Sequence, residues 1–506
     1  MQHVLVLGDQ LTRQVGPLAN AEPSKTSILI IESLELANSL PHHKQKLILF
    51  FSAMRHFAEA LRADGFQVVY KKAEPSFESG VASYLHHHQS ATLTLMEPND
   101  HGYAQRLESV CKKHGCVLEV VTNDLWLTDK TMFEAWANNR KELRMEYFYR
   151  EVRKKYGYLL TDNGEPEGGR WNFDKDNREK PPAGHVFPEV DGFEPDEITN
   201  EVIDYVDKTF PNHFGNARPF LWVVTREQAL VSLRDFCKNR LKNFGQFEDA
   251  MLTGQYALYH SLLSPAINMG LLHPKEVVEV ALEHYYDKKN KIPLNSIEGF
   301  VRQIIGWREF MKRVYDYKMP AFKTENKLDA QTPLPTFYWT GETKMNCLSQ
   351  CLKQLKETGH THHIQRLMVL GNFAQLAGVN PQELTDWFTA TYVDALEWVM
   401  IPNVIGMSQY ADLGSFTSKP YGSSGNYINK MSDYCKNCHY NVKDKTGDNA
   451  CPFNSLYWDF ISCHQDKFSK NQRMGVIMAN WLNQKESDKQ KILRRAKEIK
   501  TEIQTL

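Results

Sequence analysis

Three closely spaced cysteines and one histidine pair are the residues of this chain whose types and spacing point most directly to chemistry. Cys435 and Cys438 stand two residues apart, and Cys451 follows after twelve more, directly before Pro452. Three thiolates at such spacing can converge on one metal centre. The fourth ligand comes from elsewhere, and Cys347, Cys351, Cys463, His439 and His464 are the candidates. Structural zinc and an iron–sulfur cluster both accept four thiolates. Spacing alone favours zinc as the commoner answer, while the Cys-Pro at the last ligand resembles ferredoxin-type runs. The pair His362-His363 opens the run His-His-Ile-Gln-Arg-Leu-Met. Neighbours on a helix point about 100° apart, so one histidine can face a pocket while the other orients it. A pocket-facing imidazole titrates near neutrality and can supply a proton; the plain alternative is a surface pair without a role.

Two further groups are weaker. His260-Ser261-Leu262-Leu263-Ser264-Pro265 is a hydroxyl-rich turn whose hydroxyls and amides can hold phosphates, although such turns are also common caps. Trp387 and Trp339 read as core residues in isolation and as electron-hopping sites beside a redox centre. Cys111, Cys116, Cys237 and Cys463 read as unpaired, mostly buried thiols.

The elements that must position these groups fall into two patterns. Over the first ~125 residues, short apolar runs alternate with amphipathic stretches, the signature of a parallel α/β unit. Strands are expected at Val4–Leu7, Ser27–Ile31, Phe66–Tyr70, Thr92–Met96 and Val117–Val121, with a helix over Lys46–Arg62. Gly8-Asp9-Gln10-Leu11 ends the first strand, where open sheets bind ligands. From about 160 to 200 the chain is rich in Gly, Pro, Asn and Asp, as in a connection. Beyond 200 it is helical, with capping boxes expected at Thr225/Gln228 and Asn295/Glu298 and Pro381 at a first helical position. Ile297–Tyr315 carries a continuous apolar stripe.

Composition sets bounds on all this. The 506 residues suffice for two or three cores. A net charge of −1 argues against a generally basic nucleic-acid coat and leaves room for a local basic face. No apolar run approaches the ~20 residues of a membrane span. Met1 leads straight into a strand, so no signal peptide is expected, and the nine cysteines point to a reducing cytoplasm.

Several long runs resemble the photolyase/cryptochrome family, and within it the bacterial iron–sulfur branch whose repair members act on (6-4) photoproducts. They include Phe51-Ser52-Ala53-Met54-Arg55-His56-Phe57, Met145-Glu146-Tyr147-Phe148-Tyr149-Arg150-Glu151, Gly169-Arg170-Trp171-Asn172-Phe173, Arg302–Glu309, His362–Met368 and Pro402–Ser408. The resemblance spans essentially the whole chain. It implies an α/β Rossmann-like antenna domain over 1–130, a linker over 131–200 and an all-α FAD-binding domain over 201–506.

The same resemblance assigns roles. It favours a [4Fe–4S] cluster held by Cys347, Cys435, Cys438 and Cys451. It makes the turn His260, Ser261, Leu262, Leu263 and Ser264 the cradle for FAD. Trp307, Arg308, Arg366, Asp394, Met400 and Asn403 would adjoin the cofactor, with Arg366 paired to Asp394. Met400 stands where a glutamate is expected near flavin N5. Trp387 and Trp339 would carry electrons, with Phe388 where relatives can carry Tyr. Tyr421 would lie near the DNA surface. A 6,7-dimethyl-8-ribityllumazine antenna would bind near Gly8, Asp9 and Gln10, with Glu35 replacing polar groups lost at Leu36 and Ser39. The implied activity is light-driven repair of (6-4) lesions in UV-damaged DNA by electron transfer from reduced FAD, with His362 and His363 as catalytic groups and His363 the proton donor. A monomer without membrane attachment is expected. A signalling cryptochrome of the same fold is the second reading, and a zinc-stabilised DNA-binding protein without flavin the third.

Overall fold

The computed structural model describes residues 1–89 and 91–506. Five parallel strands, β1 (Gln2–Val6), β2 (Thr26–Ser33), β3 (Gln67–Glu74), β4 (Thr92–Met96) and β5 (Val117–Val121), form one sheet in the order β3-β2-β1-β4-β5. Val4 lies opposite Ile28 on one side and Thr94 on the other. Strand side chains alternate between faces. Val4, Val6, Ile28 and Ile30 therefore enter the core shared with helix Lys44–Ala63, while Leu5, Leu7, Leu29 and Leu95 pack with Phe77, Val81 and Leu107 on the opposite face. The strand order reverses at β1, so the carboxyl ends of β1 and β4 flank a crevice suited to a ligand.

Between 130 and 156, helices Lys130–Ala137 and Met145–Tyr156 pack into the helical part. Phe133, Trp136 and Phe148 surround Phe310 with ring centroids 6.0–6.2 Å away. From 157 to 196 the described chain is irregular apart from short 3-10 turns.

Helix starts follow local chemistry. Thr225 and Gln228 form a reciprocal capping box, and Asn380 accepts the amides of Gln382 and Glu383 with Pro381 at the first position. The expected box at Asn295/Glu298 does not form. That helix starts at Leu294 behind Pro293. Asn295 donates to Asn177 at 3.0 Å, and the fully buried Glu298 accepts from Tyr149 at 2.9 Å and Arg302 at 3.2 Å. A carboxylate with a cation and a phenol inside the core gains more from them than from a helix-end amide.

Four segments are wound as π-helix: Phe236–Arg240, Arg302–Arg308, Gln365–Gly371 and Pro402–Ser408. Such turns often mark functional sites, and three of these coincide with runs singled out in the sequence. At Gly371 two of them nearly touch, since a Cβ there would lie 2.2 Å from Ser408 Oγ. A second core around Trp387 joins these segments to the cysteine region. No helix among the described residues is long and apolar enough to cross a membrane.

Candidate functional site

Arg366 and Asp394 form the polar centre of the helical part. Arg366 grips the carboxylate with both terminal nitrogens, at 2.9 and 3.1 Å. Ser264 Oγ donates to the same carboxylate at 2.7 Å, and Asn268 donates to the Asp394 carbonyl at 2.9 Å. Arg366 also donates from Nε to the Thr361 carbonyl at 2.7 Å and lies 4.1 Å above the Tyr392 ring. Burial alone would raise the Asp394 pKa. The charge and hydrogen bonds of Arg366 outweigh it and hold the carboxyl at about 2. The pair thus stays ionised and fixes the hydroxyl-rich turn against the histidine helix.

His260 and His362 stack face to face, 4.4 Å between centroids and 17° between planes. Neither ring nitrogen of His362 has a partner, nor does Nε2 of His260. Burial is the main cause that pushes His362 far below its ordinary range and His260 down to about 4. His363 is the first helical residue, and its ring is exposed, unlike that of His362. Leu262 has φ +59°, which turns the chain sharply between Ser261 and the buried Leu263. Orphaned imidazole nitrogens beside a hydroxyl turn and an ion pair are a donor set suited to a polar cofactor or substrate.

Not every expected site residue joins this centre. Asn403 donates to the Val399 carbonyl at 2.8 Å, and Met400 is buried in the second core. Trp307 is half-buried near Phe310. Arg308 lies 3.9 Å over the Trp126 ring and pairs with Glu309 at 3.2 Å. Glu309 in turn accepts the Leu127 and Thr128 amides at 3.0 and 2.9 Å, so this run clamps the loop after β5 to the helix. Trp387 is fully buried and meets Tyr338 edge-on at 5.0 Å. Trp339 instead meets Phe214, at 5.8 Å. Phe388 stacks on Tyr392 at 5.4 Å. Tyr421 is exposed.

The crevice between sheet and helices is a cavity of about 510 Å³. Gly8 and Asp9 line it, as do Leu36, Ser39, Lys46 and Asp100. Asp9 accepts from Asn99 at 2.7 Å. Burial, then the neighbouring Glu397, lifts Asp100 to about 7, and burial lowers Lys46 to about 7. Two residues expected near an antenna lie outside this lining. Gln10 turns away and donates to the carbonyls of Met96 and Glu97 at 3.1 and 3.0 Å. Glu35 is exposed and does not line the cavity; the buried residue of its short helix is Ala37. Lys46 and Asp100 were not anticipated; an ionisable residue inside an otherwise apolar stripe was the available signal for Lys46.

Cys347, Cys435, Cys438 and Cys451 line one small, mostly apolar cavity. Cys351 lies beside it and Cys463 is exposed, against the expectation of burial. Burial raises Cys435 to about 11 and Cys451 to about 12. Gly425 leaves room there, since a Cβ would stand 2.9 Å from Cys451 Sγ. Among the described residues no three His, Cys, Asp or Glu gather at the spacing of a single ion.

Two solved structures share the overall fold. A bacterial class III photolyase from Agrobacterium tumefaciens superposes with a TM-score of 0.60 at 15% identity, over 92% of this chain and 98% of that one. An archaeal photolyase from Sulfolobus tokodaii, solved with two FAD molecules, gives 0.53 at 14% identity over 99% of both. The fold is therefore the photolyase fold. Residues 4–222 match the family model for deoxyribodipyrimidine photo-lyase-related proteins. The (6-4) photolyase of Agrobacterium fabrum is 43% identical over 491 residues, 96% of each chain. The chain belongs to the photolyase/cryptochrome family.

Proposed function

We propose that this protein is a (6-4) photolyase, which uses light to split (6-4) pyrimidine–pyrimidone photoproducts in DNA. The observation that carries the reading is the 43% identity, over nearly all of both chains, to a relative of that name. The stacked, unpartnered histidines beside the Arg366–Asp394 pair supply matching chemistry. FAD, when bound and reduced, supplies the light-driven electron.

The chain's own residues bind, orient and move a proton. Ser261, Ser264 and the turn amides would hold the cofactor, with Arg366 and Asp394 fixing that turn. The exposed ring of His363 can reach a flipped-out lesion and present a proton from a ring nitrogen to the departing hydroxyl group. His362, packed on His260, orients it. Trp387 is the inward electron relay proposed here, with Trp339 nearer the surface; Tyr421 would contact DNA. Cys347, Cys435, Cys438 and Cys451, which line one cavity, would hold a [4Fe–4S] cluster, a centre that takes four thiolates. The crevice cavity, of ordinary ligand size, would hold the lumazine antenna against Gly8 and Asp9.

The test is repair of an oligonucleotide bearing one (6-4) photoproduct, followed in blue light and in the dark with reduced flavin. Repair in light only supports the reading. Flavin binding and photoreduction without repair would transfer the protein to the signalling reading.

A further inference from the structure

The histidine helix and the cysteine centre are joined by one buried side chain. Gln365 is 1% exposed and has its hydrogen-bonding groups engaged. Its Oε1 accepts the backbone N–H of His362 at 3.0 Å. Its amide nitrogen donates to Tyr434 Oη at 3.0 Å and to Gln354 Oε1 at 3.2 Å. The bond to His362 is half of a capping box, with Gln at the third helical position reaching back to the cap amide. It fixes where the helix begins, and so where both imidazoles leave the backbone. No hydrogen bond to a described residue fixes the His362 ring itself, whose packing on His260 is its other restraint.

Tyr434 is 1% exposed, lines the cavity of the four cysteines and precedes Cys435 in the chain. Its carbonyl accepts from Asn346 at 2.8 Å, and Asn346 precedes Cys347. The two cysteine-bearing segments are thus locked at this tyrosine, and its hydroxyl meets Gln365.

We propose that Gln365 is a positioning residue that, through Tyr434, makes the orientation of the histidine pair depend on the cysteine centre. The inference rests on the reading of that pair as the proton-supplying group. It gives the cysteine centre a part in setting the active site without any redox change. Two deletions of single contacts test it. Gln365→Leu keeps the bulk and removes the amide, and Tyr434→Phe removes one hydroxyl without touching either histidine.

In holoprotein with unchanged iron and flavin content, Gln365→Leu is expected to lower repair per bound lesion about tenfold, as small misplacements of reacting groups do. Its pH profile should shift while DNA affinity holds. In Tyr434→Phe, the ring nitrogen resonances of ¹⁵N-labelled His362 should move, although the hydroxyl lies a full side chain away. Repair and pH profile unchanged in Gln365→Leu would overturn the proposal. If that variant is insoluble, unmoved His362 resonances in Tyr434→Phe would overturn it instead. Repair that survives His363→Ala would sink the proton-donor reading itself, an outcome separable from both.

Discussion

At the residue scale the Arg366–Asp394 pair makes the most definite demand. Both partners are largely buried, and removal of one charge strands the other. Breaking such a pair commonly costs about 3–5 kcal/mol. Asp394→Asn should therefore lower the melting temperature and release flavin, measured by calorimetry and by cofactor extraction. Full flavin content in that variant would remove Asp394 from the cofactor site. His363 makes a second demand. Neighbouring protein groups that take water from part of the otherwise exposed residue, then the charge of Arg366, lower it to about 4, so it is mostly neutral at pH 7 in the free protein. A donor must carry its proton, so repair yield per flash should rise as pH falls from 8 towards 5. Bound DNA phosphates, by raising the pKa, should make the rise shallower. A flat profile would argue against His363 as donor. Both histidines were legible in the sequence as an adjacent pair. The stacking of His362 on His260 was not, because a hundred residues separate the partners and no periodic pattern links them.

At the element scale, the cysteine centre ties helix Asn346–Thr358 to the loop that carries Cys435, Cys438 and Cys451. Without a bound centre, four thiols would be left in a mostly apolar cavity with the loop unanchored. Cys438→Ser should yield mostly insoluble protein, assessed by iron content and soluble yield. A soluble variant that repairs DNA without iron would refute the structural role. The five strands were legible because each is a short apolar run bounded by turn residues, and the parallel order follows from the intervening helices. The capping box at Asn295/Glu298 misled for a physical reason: Glu298 has buried partners, Tyr149 and Arg302, that no local pattern reveals. Gln10 and Glu35 lie outside the lining of the crevice cavity for a related reason. Sequence located the carboxyl end of β1 but not the direction of side chains in the turns beyond the strands. Gln365 did carry a signal, its place three residues after His362, which is the capping-box position.

At the scale of the whole molecule, burial of neutral histidines couples stability to pH. His43 and His260 are held at about 4 and His360 at about 3, each chiefly by burial. Unfolded histidines titrate near 6.5. Between about pH 6.5 and 4 the unfolded chain thus binds more protons than the folded one, and stability falls as pH falls. Melting temperatures across that window should decline steadily, and a flat curve would contradict the burial of these rings as neutral groups. The sheet crevice, the ion pair with its stacked histidines, and the cysteine cavity are three separate places in the fold, and the proposed function would give each its own cofactor.

That function is tested most directly by single-flash repair of a DNA strand carrying one (6-4) photoproduct, in the wild type and in His363→Ala, with flavin reduced and DNA bound equally in both. Repair by the wild type in light alone is expected, with a loss of about a hundredfold or more in the variant, while flavin photoreduction stays intact. Equal repair by both proteins, or none by the wild type, would contradict it.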